Sequence, residues 1–156
     1  MDDRKKESRY QRIIRQFEDL ISPHRNAIAI MSTAVALLHH KMDYFFWTGF
    51  YLLDDGELIV GPYQGPVACI LLEKDTGVCW AGISRKDTVI VPDVHAFPGH
   101  IACDSRSNSE IVVPLKNANG EITGVLDVDS REKDAFSETD RIYLEKIVEL
   151  IGNYFD

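Results

Sequence analysis

No stretch of this 156-residue chain stays apolar for the roughly 18 to 20 residues that a helix needs to cross a bilayer, because charged residues break every long run sooner. A helical membrane span is therefore not expected. The opening residues MDDRKKESRY are too charged for a secretory signal, so the expected setting is cytoplasmic. Basic residues are scarce as well: 17 Lys and Arg against 25 Asp and Glu leave a formal net charge of -8. No basic stripe interleaved with aromatics occurs, and nucleic acid is not an expected partner. Cysteine is limited to 3 residues, an odd number without paired short spacings, which argues against a secreted disulfide framework. In a reducing compartment such cysteines are either buried bystanders or working thiols. Internal repeats and low-complexity segments are absent too. What remains is 45% hydrophobic and 10% aromatic residues, enough to build the core of one domain without a linker.

The hydrophobic pattern divides the chain into helices and strands. Residues 3–21 place Tyr10, Ile13, Ile14, Phe17, Leu20 and Ile21 at helical spacing, which predicts an amphipathic helix. A second helix follows the SPH break; NAIAIMSTAVALLHHKM is apolar on most sides and is expected to be buried or packed against a partner subunit. His39 and His40 near its end read as solvated surface. The period then changes. Aromatic and β-branched runs at about 45–53 and 57–63, separated by DDG, predict an antiparallel hairpin. A short strand is expected near 67–72, and DTGVCWAGIS reads as a turn entering a short helix. TVIV, EIVVPLK and EITGVLDVDS supply three more strands, the last two joined by the tight-turn composition NANG. Ser137, with Asp140 three residues on, caps a final helix. The fold class is α+β: a central, mostly antiparallel sheet of about six strands with flanking helices.

One connection is too long to be only a connection. Between the strand near 88–91 and that near 110–116 lies a loop, about residues 92–110, inside VPDVHAFPGHIACDSRSNSEIVVP. Unstructured links above about 12 to 15 residues in compact domains are usually functional or disordered, and VHAFPGHIAC is apolar and aromatic enough to pack down. Cys103 lies near its middle, where solvent and small molecules can reach a thiol. His100 could stabilise the reactive thiolate, and Asp93, His95, Asp104 and Glu110 are close in sequence. Three other readings stay open on these residues. An isolated cysteine is often a small buried hydrophobe. His95, His100 and Cys103 could bind zinc. His100 could serve as general base for a Cys/His hydrolase, although no motif supplies an oxyanion hole.

Carboxylates and aromatics recur on alternating strand positions. Asp127 and Asp129 lie two apart, so both project from one face while Leu126 and Val128 serve the other. Such a pair can raise one pKa into the range of a proton donor, or hold a ligand ammonium; alternatively, the acids simply face water at a strand end. Glu110 would join them if its strand pairs through the NANG turn. Trp47 and Tyr51 share a face of the first strand and either wall a pocket or fill core, with Gly49 between them leaving room for a ligand.

Taken together, GFYLLDDGELIVGPYQGPVAC, TGVC, the 91–114 loop and GVLDVDS, in this order and spacing over about residues 43–140, resemble the free methionine-(R)-sulfoxide reductases, enzymes built on a GAF domain. The resemblance implies a single GAF domain over residues 1–156, with helices in 1–41, usually assembled as a homodimer. It implies reduction of free methionine-(R)-sulfoxide without a bound cofactor or metal. In that family pattern Cys103 is the nucleophile, Cys69 the first resolving cysteine, and Cys79 a second resolving or relay cysteine. Glu110, Asp127 and Asp129 would hold the substrate and protonate its oxygen, and Trp47 and Tyr51 would surround its methyl end. Thioredoxin, supplied by NADPH, would recycle the disulfide. Two departures stand out: Trp80 follows Cys79 where glycine is usual, and Phe46 and Thr48 flank Trp47 in place of the more frequent asparagine and alanine. A non-catalytic GAF sensor is the competing expectation, but a sensor has no need of three cysteines beside an acid cluster.

Overall fold

A computed structural model describes residues 1–100 and 104–155. Two helices, α1 (Asp3–Ile21) and α2 (Ala27–Lys41), precede the strands β1 (Trp47–Asp54) and β2 (Glu57–Gln64). After α3 (Gly77–Arg85) come β3 (Val89–Val91), a single 3-10 turn at Val94–Ala96, β4 (Ser109–Lys116), β5 (Ile122–Ser130) and α4 (Glu138–Gly152). The strands form one sheet in the order β2-β1-β5-β4-β3, with every neighbouring pair antiparallel. No described helix is long and apolar enough to cross a membrane.

Local chemistry explains most boundaries. The Asp2 carboxylate accepts from the Lys5 amide at 2.9 Å and starts α1, and the Asn26 side chain does the same for α2 through the Ala29 amide at 3.0 Å. Ser137 and Asp140 form the reciprocal capping box of α4. Asp55 and Gly56, with φ of 51° and 79°, make the hairpin turn that aligns β1 with β2.

The sheet has five strands, not six. Segment 67–72 makes only the Ile59–Leu71 bridge, with Val60 donating to the Ile70 carbonyl and Leu72 to the Leu58 carbonyl. Pro66 has no amide hydrogen to donate, and Val67 and Ile70, 86% and 71% exposed, have nothing to pack on, so no strand propagates. His39 also differs from expectation: it is half-buried, its Nδ1 lies 3.1 Å from the Thr48 hydroxyl, and desolvation lowers its pKa. His40 is exposed.

Strand alternation gives the two sheet faces different tasks. Phe50, Ile111, Val113, Leu115, Leu126 and Val128 pack under α1, α2 and α4. Truncating a fully buried member such as Leu126 to alanine costs about 2 to 5 kcal/mol. Behind this core, Asp140 is completely buried and satisfied: Lys6 Nζ donates to Oδ2 at 2.6 Å, Tyr10 OH donates to Oδ1 at 2.6 Å, and Tyr44 OH donates to Oδ1 as well. The Ser137 amide adds a further donor at 2.8 Å. On the opposite face Trp47, Tyr51, Val112 and Val125 pack against α3. Helix α3 comes this close because Gly82 lacks a side chain; a Cβ there would lie 2.8 Å from Val112 Cγ1.

Candidate active site

Antiparallel register assembles the site from three strands. Trp47 pairs with Asp129 and Asp129 with Glu110, while in the next row Gly49 pairs with Asp127 and Asp127 with Val112. All of these residues share the α3 face. Over them lies a cavity of about 250 Å³ lined by Trp47, Tyr51, Cys79, Glu110, Asp127 and Asp129. The acids thus converge, and two of them are as buried as core residues: Glu110 is 4% and Asp127 6% exposed, with Asp129 half-buried.

Electrostatic compensation is thin here. Among the described residues no Lys or Arg forms an ion pair with any of the three acids. Burial, followed by the Asp127 and Asp129 charges, pushes Glu110 well above the usual carboxylate range. Asp129 is also held well above it, by burial first and then by Asp127 and Asp104. Burial raises Asp127 too, opposed by hydrogen bonds that Glu110 and the Cys79 thiol donate to it. Glu110 Oε2 and Asp127 Oδ1 find no hydrogen-bond partner among the described residues. The cluster therefore keeps protons to higher pH than ordinary carboxylates, so it can donate them, and it can receive a cationic group.

The cysteines occupy different environments. Cys79, on the first turn of α3, is a buried free thiol whose pKa is pushed well up by desolvation and by the neighbouring carboxylates. It is protonated at neutral pH, the wrong state for a nucleophile. Cys69 is exposed and disulfide-bonded. Cys103 lies outside the described residues. Of the histidines in the loop, His100 lines the cavity, half-buried, with Nε2 lacking a partner among the described residues and its pKa lowered by burial and then by His95. His95 turns away to the surface, where Nε2 lies 3.1 Å from Asn108 Oδ1.

The aromatic wall is larger than the sequence suggested. Trp47 stacks on Tyr51 at 5.7 Å and on Tyr63 at 5.2 Å, so the strand β2 residue Tyr63 completes a three-ring layer that the spacing on β1 did not reveal. Trp47 Nε1 donates to the Pro66 carbonyl at 3.1 Å, and Tyr51 OH donates to the Cys69 carbonyl at 2.9 Å. These bonds hold the Cys69 segment over the sheet. Gly49 does not leave space for a ligand: a Cβ there would run into the Tyr63 Cβ and the Trp47 ring, so its role is to let the rings close. Phe46 also lines the cavity, with the Arg131 and Arg106 guanidinium groups 4.4 and 5.0 Å from its ring centre. Arg106 in turn clamps Asp104 at 2.9 and 2.6 Å, which lowers that carboxyl to about 2. Thr48 points to the other face of the sheet, and Trp80 packs into the α3 core without lining the cavity.

A sheet covered by helices on one face and carrying, on the other, a partly open cavity with aromatic walls and a group of acids defines an α+β domain with a small-molecule pocket. The chain belongs to the GAF-domain family, whose model matches residues 25–156. It is 46% identical over 149 residues, covering 95% of this chain and 93% of the relative, to GAF domain-containing protein A of Dictyostelium discoideum. It is 40% identical to the free methionine-R-sulfoxide reductase of Escherichia coli over 89% of this chain and 84% of that enzyme. Among solved structures it is similar to the free methionine-R-sulfoxide reductase of Neisseria meningitidis in complex with its substrate, with a TM-score of 0.88 and 39% identity over 94% of this chain and 87% of that one.

Proposed function

We propose that this protein reduces free methionine-(R)-sulfoxide to methionine. The observation that carries the reading is the convergence of Glu110, Asp127 and Asp129, without a cationic partner among the described residues, beside the Trp47–Tyr51 wall of one cavity. A zwitterionic amino acid carries the ammonium that the acids lack, and its apolar methyl end suits the aromatic rings. The similarity to named free methionine-R-sulfoxide reductases supports the same substrate.

The chemistry follows from what a sulfoxide requires. The Cys103 thiolate attacks the sulfoxide sulfur while an acid of the buried cluster protonates the oxygen; the hydroxyl then passes from the methionine sulfur to the Cys103 sulfur as the transient S–S bond breaks, so methionine departs as the thioether and Cys103 is left as a sulfenic acid. The thiol of Cys69 then attacks the sulfenic sulfur, expelling water and forming a disulfide. The bonded state of Cys69 and the free, protonated state of Cys79 support Cys69 as first resolver, with Cys79 as relay or second resolver. Two electrons and two protons from a dithiol protein of the thioredoxin class restore the thiols, and the exposure of Cys69 gives such a partner access. The catalytic unit is a homodimer in the cytoplasm, and the chain itself holds no cofactor.

The deciding experiment is NADPH oxidation coupled through thioredoxin reductase and thioredoxin, with separate R and S epimers of free methionine sulfoxide and a peptide-bound sulfoxide. Turnover of the free R epimer alone is expected. Silence on all three would overturn the reductase reading in favour of a non-catalytic GAF sensor.

A further inference from the structure

We propose that Cys79, Glu110 and Asp127 form a binding site for a soft or borderline divalent cation of the zinc and cadmium class. One sulfur and two carboxylate oxygens from these residues all lie within 4.8 Å of one another. The three donors come from α3, β4 and β5, elements locked together in the packed core, so the site is held by rigid parts of the fold.

Crowded acids alone would not identify a cation site. The independent observation is that the oxygens facing the cavity are left over: Glu110 Oε2 and Asp127 Oδ1 are buried, line the cavity and have no hydrogen-bond partner among the described residues. The sulfur is in no disulfide, and its hydrogen bond to Asp127 would be given up with the thiol proton as a cation binds. Zinc-sulfur and zinc-oxygen bonds are about 2.3 and 2.1 Å, so each donor would have to move by less than about 1 Å to close on a common centre. Three protein ligands leave a fourth tetrahedral position, which here opens into the cavity for water or for Asp129.

Donor chemistry sets the selectivity. A thiolate favours zinc, cadmium and similar ions, whereas magnesium and calcium require about six or more oxygen ligands, which this group does not supply. The bound ion would occupy the place proposed for the ammonium of the amino acid. If that assignment holds, the cation competes with substrate and blocks turnover. Binding itself depends only on the donor geometry, and it is measured without any turnover.

The test uses the disulfide-bonded protein without reductant, so that Cys69 is already engaged, with Cd2+ as the probe. Equilibrium dialysis gives the stoichiometry, and the ultraviolet sulfur-to-cadmium charge-transfer band reports the thiolate. We expect one Cd2+ per chain with the band present, loss of the band in Cys79→Ser, and binding weakened about tenfold or more in Glu110→Gln with the band kept. Magnesium at the same concentration should not displace Cd2+. A band of undiminished strength in Cys79→Ser would place the metal on another thiol and overturn the proposal. So would unchanged affinity in the nearly isosteric Glu110→Gln, or no bound Cd2+ in the unsubstituted chain.

Discussion

Two groups of buried carboxylates lie on opposite faces of the same sheet, and they are treated in opposite ways. Asp140, fully buried, receives a lysine ammonium, two tyrosine hydroxyls and a backbone amide. Glu110 and Asp127 are nearly as inaccessible, yet among the described residues they have only each other, Asp129 and a protonated thiol. A buried charge supplied with donors and a counter-charge holds the fold together, and removing one partner is expensive. A buried carboxyl without them holds its proton to higher pH and remains available to whatever enters the cavity. The contrast shows that burial does not mark the chemistry; unsatisfied burial does.

The largest effects should separate the faces completely. Cys103→Ser should abolish turnover, whereas Cys69→Ser should still form one methionine per site and then stall; equal loss of single-turnover methionine in both would break the assigned order. On the helical face, Asp140→Asn strands the Lys6 ammonium in the core and should cost about 3 to 5 kcal/mol in urea unfolding, with KM unchanged in the protein that remains folded. A loss below about 1 kcal/mol would mean that Lys6 reaches water. Asp127→Asn should do the reverse, lowering kcat/KM by roughly tenfold or more while leaving stability equal or higher. Unchanged kinetics would remove Asp127 from the chemistry.

The smallest effect concerns pH. Glu110, Asp127 and Asp129 all have folded-state pKa values raised above their unfolded values, mainly by burial. The folded chain therefore keeps protons that the unfolded chain releases. Their contribution to stability is fully present below the ordinary carboxylate range near about 4 and is lost as pH rises through the elevated values. Glu110→Gln cannot ionise, so its urea midpoint relative to the unsubstituted chain should be higher at pH 8 than at pH 5. A gap independent of pH would show that Glu110 titrates normally.

Much of this arrangement was legible in the sequence where a period or a cap enforces it. The stripe of α1, the hairpin at Asp55–Gly56 and the α4 capping box follow from local rules, and alternation along β5 placed Asp127 and Asp129 on one face with Leu126 and Val128 on the other. Segment 67–72 misled because apolar residues suggest a strand even when no neighbouring surface buries them. Tyr63 and Lys6 were missed for a related reason: each matters through a contact across the fold, Tyr63 against Trp47 and Lys6 against a residue 134 positions away. Gly49 was assigned the wrong beneficiary, since spacing reveals a missing side chain but not which neighbour fills its place. The residues of the site were visible, but that no Lys or Arg among the described residues pairs with them, which sets their chemistry, emerges only in three dimensions.

The family match begins at residue 25, after α1, yet α1 carries Lys6 and Tyr10 into the network around Asp140. A chain trimmed to residues 25–156 would keep every residue assigned to the cavity and lose the counter-charge and one hydroxyl donor of the most deeply buried acid in the α4 core. The edge of the domain model therefore does not coincide with the boundary of independent stability, and a shortened form would need Asp140 replaced by an apolar residue before its cavity could be studied alone.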